Sequence, residues 1–285
     1  MKIYIPNYDP NGLGGGWTFL RNFIRATSSV VQLSSLQDCD VMFICGPTMA
    51  SRDEVKKAQS LGKKIVLRVD NIPEDYRNRG TAISRLKDYS KISDAVVYQS
   101  EWAREYVMGL TGVDGVVIYN GVNFKIFNDK ERDQHSKNIL YVRSSTNESK
   151  RWQEAKYIFR EMWLEDKELQ LLVVGNFADY IKLYGDDFVG RYNLGCFDEF
   201  VTYIGQIKDV SKMADIMRRS REILIPFYND ACSNTVLEAI ACGCKINTCH
   251  SGNTGGTPEI LDKDLDINMD RMGKEYLGLF DLVLQ

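Results

Sequence analysis

Long apolar runs are missing from this chain. No stretch of its 285 residues approaches the length needed to cross a bilayer, and Met1-Lys2-Ile3-Tyr4-Ile5-Pro6 is too short and too soon polar for a secretory signal. A cytoplasmic protein without a transmembrane segment is expected, with peripheral membrane contact left open. An excess of one charge is missing too. The 36 basic and 39 acidic residues leave a formal net charge of −3, without the basic stripe of a nucleic-acid binder, so no nucleic-acid partner is expected. The modest basic stretch of Arg77, Arg79, Arg85, Lys87 and Lys91 is interleaved with Glu74, Asp75 and Asp88 and reads as a solvated face. Histidine is nearly absent: His135 and His250 are the only two. The seven cysteines are odd in number and scattered, which argues against a disulfide framework and for reduced, buried thiols. Cys242, Cys244 and the pair Cys249-His250 lack a second ligand pair at zinc spacing. There is no internal repeat or low-complexity tract.

What is present is a regular alternation. Apolar runs of strand length alternate with helical periodicity from end to end, the pattern of parallel α/β sheets covered by helices on both faces. Strands are expected near Lys2 to Pro6, Val41 to Cys45, Lys64 to Val69, Ala95 to Tyr98 and Val116 to Ile118. A second series follows at Asn138 to Val142, Gln170 to Val174, Val201 to Ile204, Ile223 to Pro226 and Lys245 to Thr248. The polar run Asn128 to Lys137 has no apolar period and separates the two series as a linker. The fold class is therefore α/β with two doubly wound, Rossmann-like domains. Their expected ranges are 1–130 and 131–270, with an amphipathic terminal helix over 271–285.

The segment with most chemical content runs from Asp230 to Gly243. Phe227 to Asn234 reads as a loop after a buried strand, and Thr235 to Ala241 as a short apolar helix stopped by Gly243. Such a unit points free backbone N–H groups at the loop, where a phosphate or sugar oxygen can sit. Asp230 precedes the helix and Glu238 lies one turn inside it; carboxylates accept hydrogen bonds and so suit sugar and ribose hydroxyls. Gly255-Gly256-Thr257-Pro258-Glu259-Ile260 follows shortly after, making Glu259 a further candidate. At the other end of the chain, Asn11 to Gly16 places four glycines between the first strand and a helix expected over Trp17 to Arg25. It is not a dinucleotide fingerprint, because the third required glycine position is Trp17, and NAD binding is disfavoured.

The acidic-x7-Glu pattern of Asp230 and Glu238, with the Gly-Gly-Thr-Pro-Glu run behind it, resembles the signature of glycosyltransferase family 4, retaining enzymes of GT-B architecture. The family's first acid is most often Glu, so Asp230 is a shorter variant. The resemblance implies two Rossmann-like domains facing a cleft, the acceptor on the first and a nucleotide-diphosphate-sugar donor held chiefly by the second. It places Asp230 on the transferred sugar, the loop of Cys232, Ser233, Asn234 and Thr235 on the donor, and Glu238 on the ribose. Gly14 and Gly15 would border the donor phosphates, Gly175 the donor site, and Ile207 the base. Arg143 and Lys150 would neutralise the pyrophosphate, with Arg151 as a rival to Lys150. The family's first-domain His-Asp pair has no counterpart in Leu67-Arg68-Val69-Asp70-Asn71, which leaves Asp70 as the polar candidate and Arg68 as a residue flanking the core. Asn120-Gly121 resembles a structural turn.

The implied activity is transfer to a glycan, lipid or small-molecule acceptor by front-face substitution. No metal and no cofactor are expected: Asp38-Cys39-Asp40 and Asp264-Leu265-Asp266 match a paired-aspartate spacing, but two cations already do the work of a metal. Alternatives are a nucleotide-sugar epimerase on the same architecture and an inactive protein that binds a nucleotide or glycan.

Overall fold

A computed structural model describes residues 1–70, 72, 82–143, 148–184, 197–249, 254–262 and 264–285. His250, Arg77 and Arg79 lie outside the described residues. The chain divides into two compact units: Met1–Asn123 with Asp230–Asn234 and Gly255–Gln285, and Phe124–Asn229 with Thr235–Thr254.

The first unit is built on a parallel sheet of six strands: β1 (Lys2–Tyr4), β2 (Gln32–Leu33), β3 (Val41–Ile44), β4 (Lys64–Arg68), β5 (Ala95–Tyr98) and β6 (Val116–Val117), in the order β2-β1-β3-β4-β5-β6. All four residues of β3 are buried, as a strand covered on both faces requires. The helices are α1 (Gly15–Thr27), α2 (Arg52–Ser60), α3 (Ala82–Ile92) and α4 (Glu101–Thr111). Local signals place their ends. Ser51 and Glu54 form a reciprocal capping box on α2, Ser100 accepts from the Ala103 amide at the start of α4, and Gly112 closes α4 in a left-handed conformation. By contrast α1 starts two residues earlier than its apolar period suggests, and its N-cap, Gly14, has no side chain with which to cap.

The second unit carries a five-stranded parallel sheet of β7 (Asn138–Val142), β8 (Gln170–Val174), β9 (Val201–Gly205), β10 (Glu222–Leu224) and β11 (Lys245–Asn247). Its order is β11-β10-β7-β8-β9, so the direction of winding reverses between β7 and β10. Its helices are α5 (Trp152–Glu165), α6 (Asn176–Tyr184), α7 (Val210–Arg218) and α8 (Asn234–Ala241). The polar stretch Asn128 to Lys137 is folded against this unit, since Arg132 donates to the Cys242 and Arg221 carbonyls at 3.1 and 3.2 Å. A short α9 (Thr257–Ile260) and a long α10 (Met269–Leu284) complete the chain.

The last helix is part of the first unit's core. Tyr276 and Phe280 of α10 join Phe19 and Phe23 of α1 and Phe43 of β3 in an aromatic cluster with ring centroids 5.2 to 6.2 Å apart. Gly273 lets the two helices meet closely: a Cβ there would stand 2.8 Å from that of Ala26. Two parallel doubly wound sheets with covering helices are thus the architecture that the alternating pattern predicts. Among the described residues no helix is long and apolar enough to cross a membrane.

Candidate functional site

In open parallel sheets ligands collect beyond the carboxyl ends of the strands, where the winding reverses. In the second unit that point lies between β7 and β10. Arg143 directly follows β7 and is almost wholly buried, its guanidinium carbon 3.9 Å above the centre of the Phe177 ring. Lys150 lies further along the same connection, with Nζ 3.8 Å above the ring of Phe227 in the loop after β10. The two connections are tied together, as the Tyr228 amide donates to the Ser149 carbonyl at 3.0 Å. Tyr141 fixes Lys150 from below by donating its hydroxyl to the Lys150 carbonyl at 3.0 Å. Arg151 is engaged otherwise: it pairs with Glu154 at 2.7 Å and is exposed.

Gly175 follows β8 and completes this edge. With φ of +121° and an implied Cβ 1.6 Å from the Arg143 carbonyl oxygen, the position admits no side chain. Its amide donates to the Gly205 carbonyl at 2.8 Å, which joins the ends of β8 and β9. Ile207 follows Gly205 on the connection to α7 and is half-buried. Thr235 and Glu238 lie on α8, both half-buried, Glu238 one turn into the helix. Arg143, Gly175 and Lys150 are therefore brought to one edge, with Ile207 two strands away from β7.

The first unit gathers a second group. Its winding reverses between β1 and β3; beyond β1 lie Gly14 and the first residues of α1, Gly15 and Gly16, and beyond β3 lies Gly46. Asp70, two residues beyond β4, is laid across both: a Cβ on Gly46 would fall 2.4 Å from its carboxylate carbon, and one on Gly16 would fall 3.9 Å from Oδ2. The short segment Asp230 to Asn234 belongs to the same unit. Asn234 donates from Nδ2 to the Gly15 carbonyl at 2.8 Å, and the Gly256 amide donates to the Asp230 carbonyl at 2.9 Å. Cys232 and Ser233 are buried, and the Cys232 carbonyl accepts from Asn120 at 2.9 Å. Burial pushes the Cys232 thiol up to about 12, so it is not a thiolate nucleophile near neutral pH.

Glu259 has structural partners in the first unit. Its carboxylate accepts from the amides of Glu101 and Trp102, both at 2.8 Å, and from the Tyr119 hydroxyl at 2.7 Å, closing the N-terminus of α4. Burial, followed by this bond to Glu259, raises the Tyr119 phenol and keeps it a donor. Three of the four paired aspartates have structural partners: Asp40 accepts from the Lys2 amide, Asp38 from the Ser35 hydroxyl and Asp266 from the Asn268 amide. Among the described residues no three His, Cys, Asp or Glu side chains form a group that could hold a metal ion. Asn120 is not merely a turn residue. It is buried with Arg68 and Gln99, a polar group whose members are 21 to 52 residues apart in sequence and whose link no local pattern announces.

No family model matches the sequence, and no curated protein is similar to it in sequence. Solved structures are similar in fold. HepE of Anabaena in complex with UDP-glucose superposes with a TM-score of 0.70 at 12% identity, covering 100% of this chain and 90% of that one. AviGT4, a glycosyltransferase involved in avilamycin A biosynthesis, gives 0.67 at 14% identity, covering 99% and 98%. Sucrose-phosphate synthase from Thermosynechococcus elongatus gives 0.64 at 15% identity, covering 99% and 96%. The chain shares the GT-B fold of these structures along its whole length.

Proposed function

We propose that this protein is a retaining glycosyltransferase that moves a sugar from a nucleotide-diphosphate-sugar to a glycan, lipid or small-molecule acceptor, without a metal. The observation that carries the proposal is the edge of the second unit at the β7/β10 reversal. A buried guanidinium and a lysine stand there on the connection after β7, which a backbone hydrogen bond joins to the connection after β10, beside a glycine that cannot carry a side chain. Fixed cations of this kind stabilise the charge that grows on a departing nucleoside diphosphate, so the leaving group needs no acid. The fold supports the assignment, since HepE shares it and binds UDP-glucose.

In this proposal Arg143 and Lys150 take the diphosphate, the main chain at Gly175 and Ile207 borders the donor, and Glu238 takes the ribose. Asp230, Asp70 and the Gly14-Gly15 turn serve the transferred sugar and its phosphates. The glycosyl–phosphate bond breaks as the acceptor oxygen attacks the same face of the anomeric carbon. The acceptor proton passes to the leaving phosphate, and the configuration is retained.

A thermal-shift panel of UDP-, GDP-, ADP- and dTDP-sugars tests the proposal, because a ligand specific to the native state raises the melting temperature. One nucleotide series should shift it clearly, and that donor should then yield product of unchanged anomeric configuration by NMR. No shift with any series would defeat the proposal, and a shift without turnover or donor hydrolysis would indicate a binding protein.

A further inference from the structure

Arg68 ends β4 with its guanidinium enclosed in the first unit, 1% exposed. Nη2 donates to Gln99 Oε1 at 2.6 Å and to Asn120 Oδ1 at 2.9 Å, Nη1 donates to the Cys45 carbonyl at 3.3 Å, and the group lies 3.8 Å above the Phe19 ring. Among the described residues no carboxylate pairs with it, so amide and carbonyl oxygens, with the Cys45 sulfur at 3.7 Å from Nη1, hold this charge. A buried cation so arranged gains less than an ion pair would and is not explained by stability alone.

Its chemistry sets a direction. Guanidinium has only donors, so the amide oxygens of both Gln99 and Asn120 must face it. Their NH2 groups are then turned outward: Gln99 donates to the Val69 carbonyl at 2.7 Å, and Asn120 donates to Gln99 Oε1 at 3.1 Å and to the Cys232 carbonyl at 2.9 Å. The Val69 and Cys232 carbonyls favour the same orientation, since a flipped amide would oppose its oxygen to each, and Arg68 adds the charged donor that holds both amide oxygens in place. Cys232 is the midpoint of the Asp230 to Asn234 segment, whose ends are held by the Asp230 carbonyl and the Asn234 side chain.

We propose that Arg68 and Asn120 are positioning residues for that segment. Arg68 anchors the two amide oxygens of the relay, and Asn120 passes that restraint on through the hydrogen bond that sets the Cys232 carbonyl and, with it, the Asp230 carboxylate. The inference rests on the function proposed above for its catalytic consequence, but the structural part stands apart from it.

Two variants test it together with a control. Asn120→Asp keeps an acceptor for Arg68, which it converts to an ion pair, and replaces the donor that reaches Cys232. Arg68→Met removes the charge and keeps the length. Phe280→Leu weakens the same unit at its aromatic core, outside the relay. Amide hydrogen exchange over 231–234 is compared with that over 65–67, and kcat and donor KM are measured with the donor found in the thermal-shift panel.

Expected in Asn120→Asp and Arg68→Met is at least about tenfold faster exchange over 231–234 with little change over 65–67. Turnover should fall by at least about tenfold with donor KM within about twofold, the pattern of a contact made in the transition state. Phe280→Leu should lower the melting temperature without that split. Unchanged exchange over 231–234 in the relay variants, or an equal turnover loss in Phe280→Leu, would overturn the proposal. If the wild type turns over no donor, the exchange result decides positioning alone, and only the glycosyltransferase assignment falls. Should one relay variant fail to fold, the other carries the same readings.

Discussion

Gly175 lies so close to Arg143 that a Cβ on it would stand 1.6 Å from the Arg143 carbonyl oxygen. The close approach couples the end of β8 to the end of β7, and the positive φ of +121° adds a conformational penalty for any other residue. Gly175→Ala is expected to destabilise the second unit by roughly 1–3 kcal/mol from strain alone, before the overlap is relieved. Denaturant unfolding should show a lower midpoint, and donor turnover should fall because Arg143 is displaced. A variant as stable and as active as the wild type would remove Gly175 from the site.

Lys150 and Arg151 are neighbours with different partners. Lys150 lies over Phe227, whereas Arg151 is paired with Glu154 at the surface. Lys150→Ala should lower turnover by roughly 10²-fold or more, the scale for losing one transition-state donor. Arg151→Ala should stay within about twofold, since an exposed pair is worth little. Steady-state kinetics on the two variants decides between them, and the reverse ranking would hand the role to Arg151.

Glu259 joins α9 to the start of α4 through two hydrogen bonds and to Tyr119 through a third. Bonds to a charged acceptor are the stronger kind, so Glu259→Gln should cost roughly 2 kcal/mol of first-unit stability. Thermal unfolding should register that loss while kcat of the folded protein is retained. A large kcat loss at unchanged stability would restore Glu259 as a ligand of the substrate.

Cys45 and Cys232 are buried thiols, both pushed up to about 12 from an ordinary 9.0 by burial. The folded state holds these protons more tightly than the unfolded chain, so their contribution is fully present below about pH 9. It is lost as pH rises from about 9 toward 12. Urea midpoints measured at pH 8 and pH 10.5 should fall with pH, and Cys45→Ala should flatten that fall. Thiol reagents at pH 8 should modify the two residues only in denaturant. Rapid labelling of the native protein, or higher stability at the alkaline pH, would contradict this picture.

The sequence carries the sheets well because burial on both faces demands continuous apolar runs, as in Val41 to Ile44, and because Ser51, Ser100 and Gly112 mark helix ends chemically. The glycine loop and the Arg143 to Lys150 connection are legible for the same reason: special backbone geometry and strand ends leave local traces. The rest is long-range. Asn120 and Cys232 meet across 112 positions and Glu259 and Trp102 across 157, and neither periodicity nor spacing encodes such pairings. Arg68 looks like a flank of the core until Gln99 and Asn120 are seen around it. The carboxylates Asp230 and Glu238 are eight positions apart, yet they belong to different units, which a contiguous motif cannot reveal.

The central claim is that Arg143 and Lys150 hold the diphosphate of the donor. Calorimetric titration of the free nucleoside diphosphate, of the base identified in the thermal-shift panel, into wild type and Lys150→Ala tests it most directly. At least about tenfold weaker binding by the variant, some 1.4 kcal/mol, with a smaller loss for the matching nucleoside, is the predicted result. Equal affinity of both proteins for the diphosphate would contradict the account.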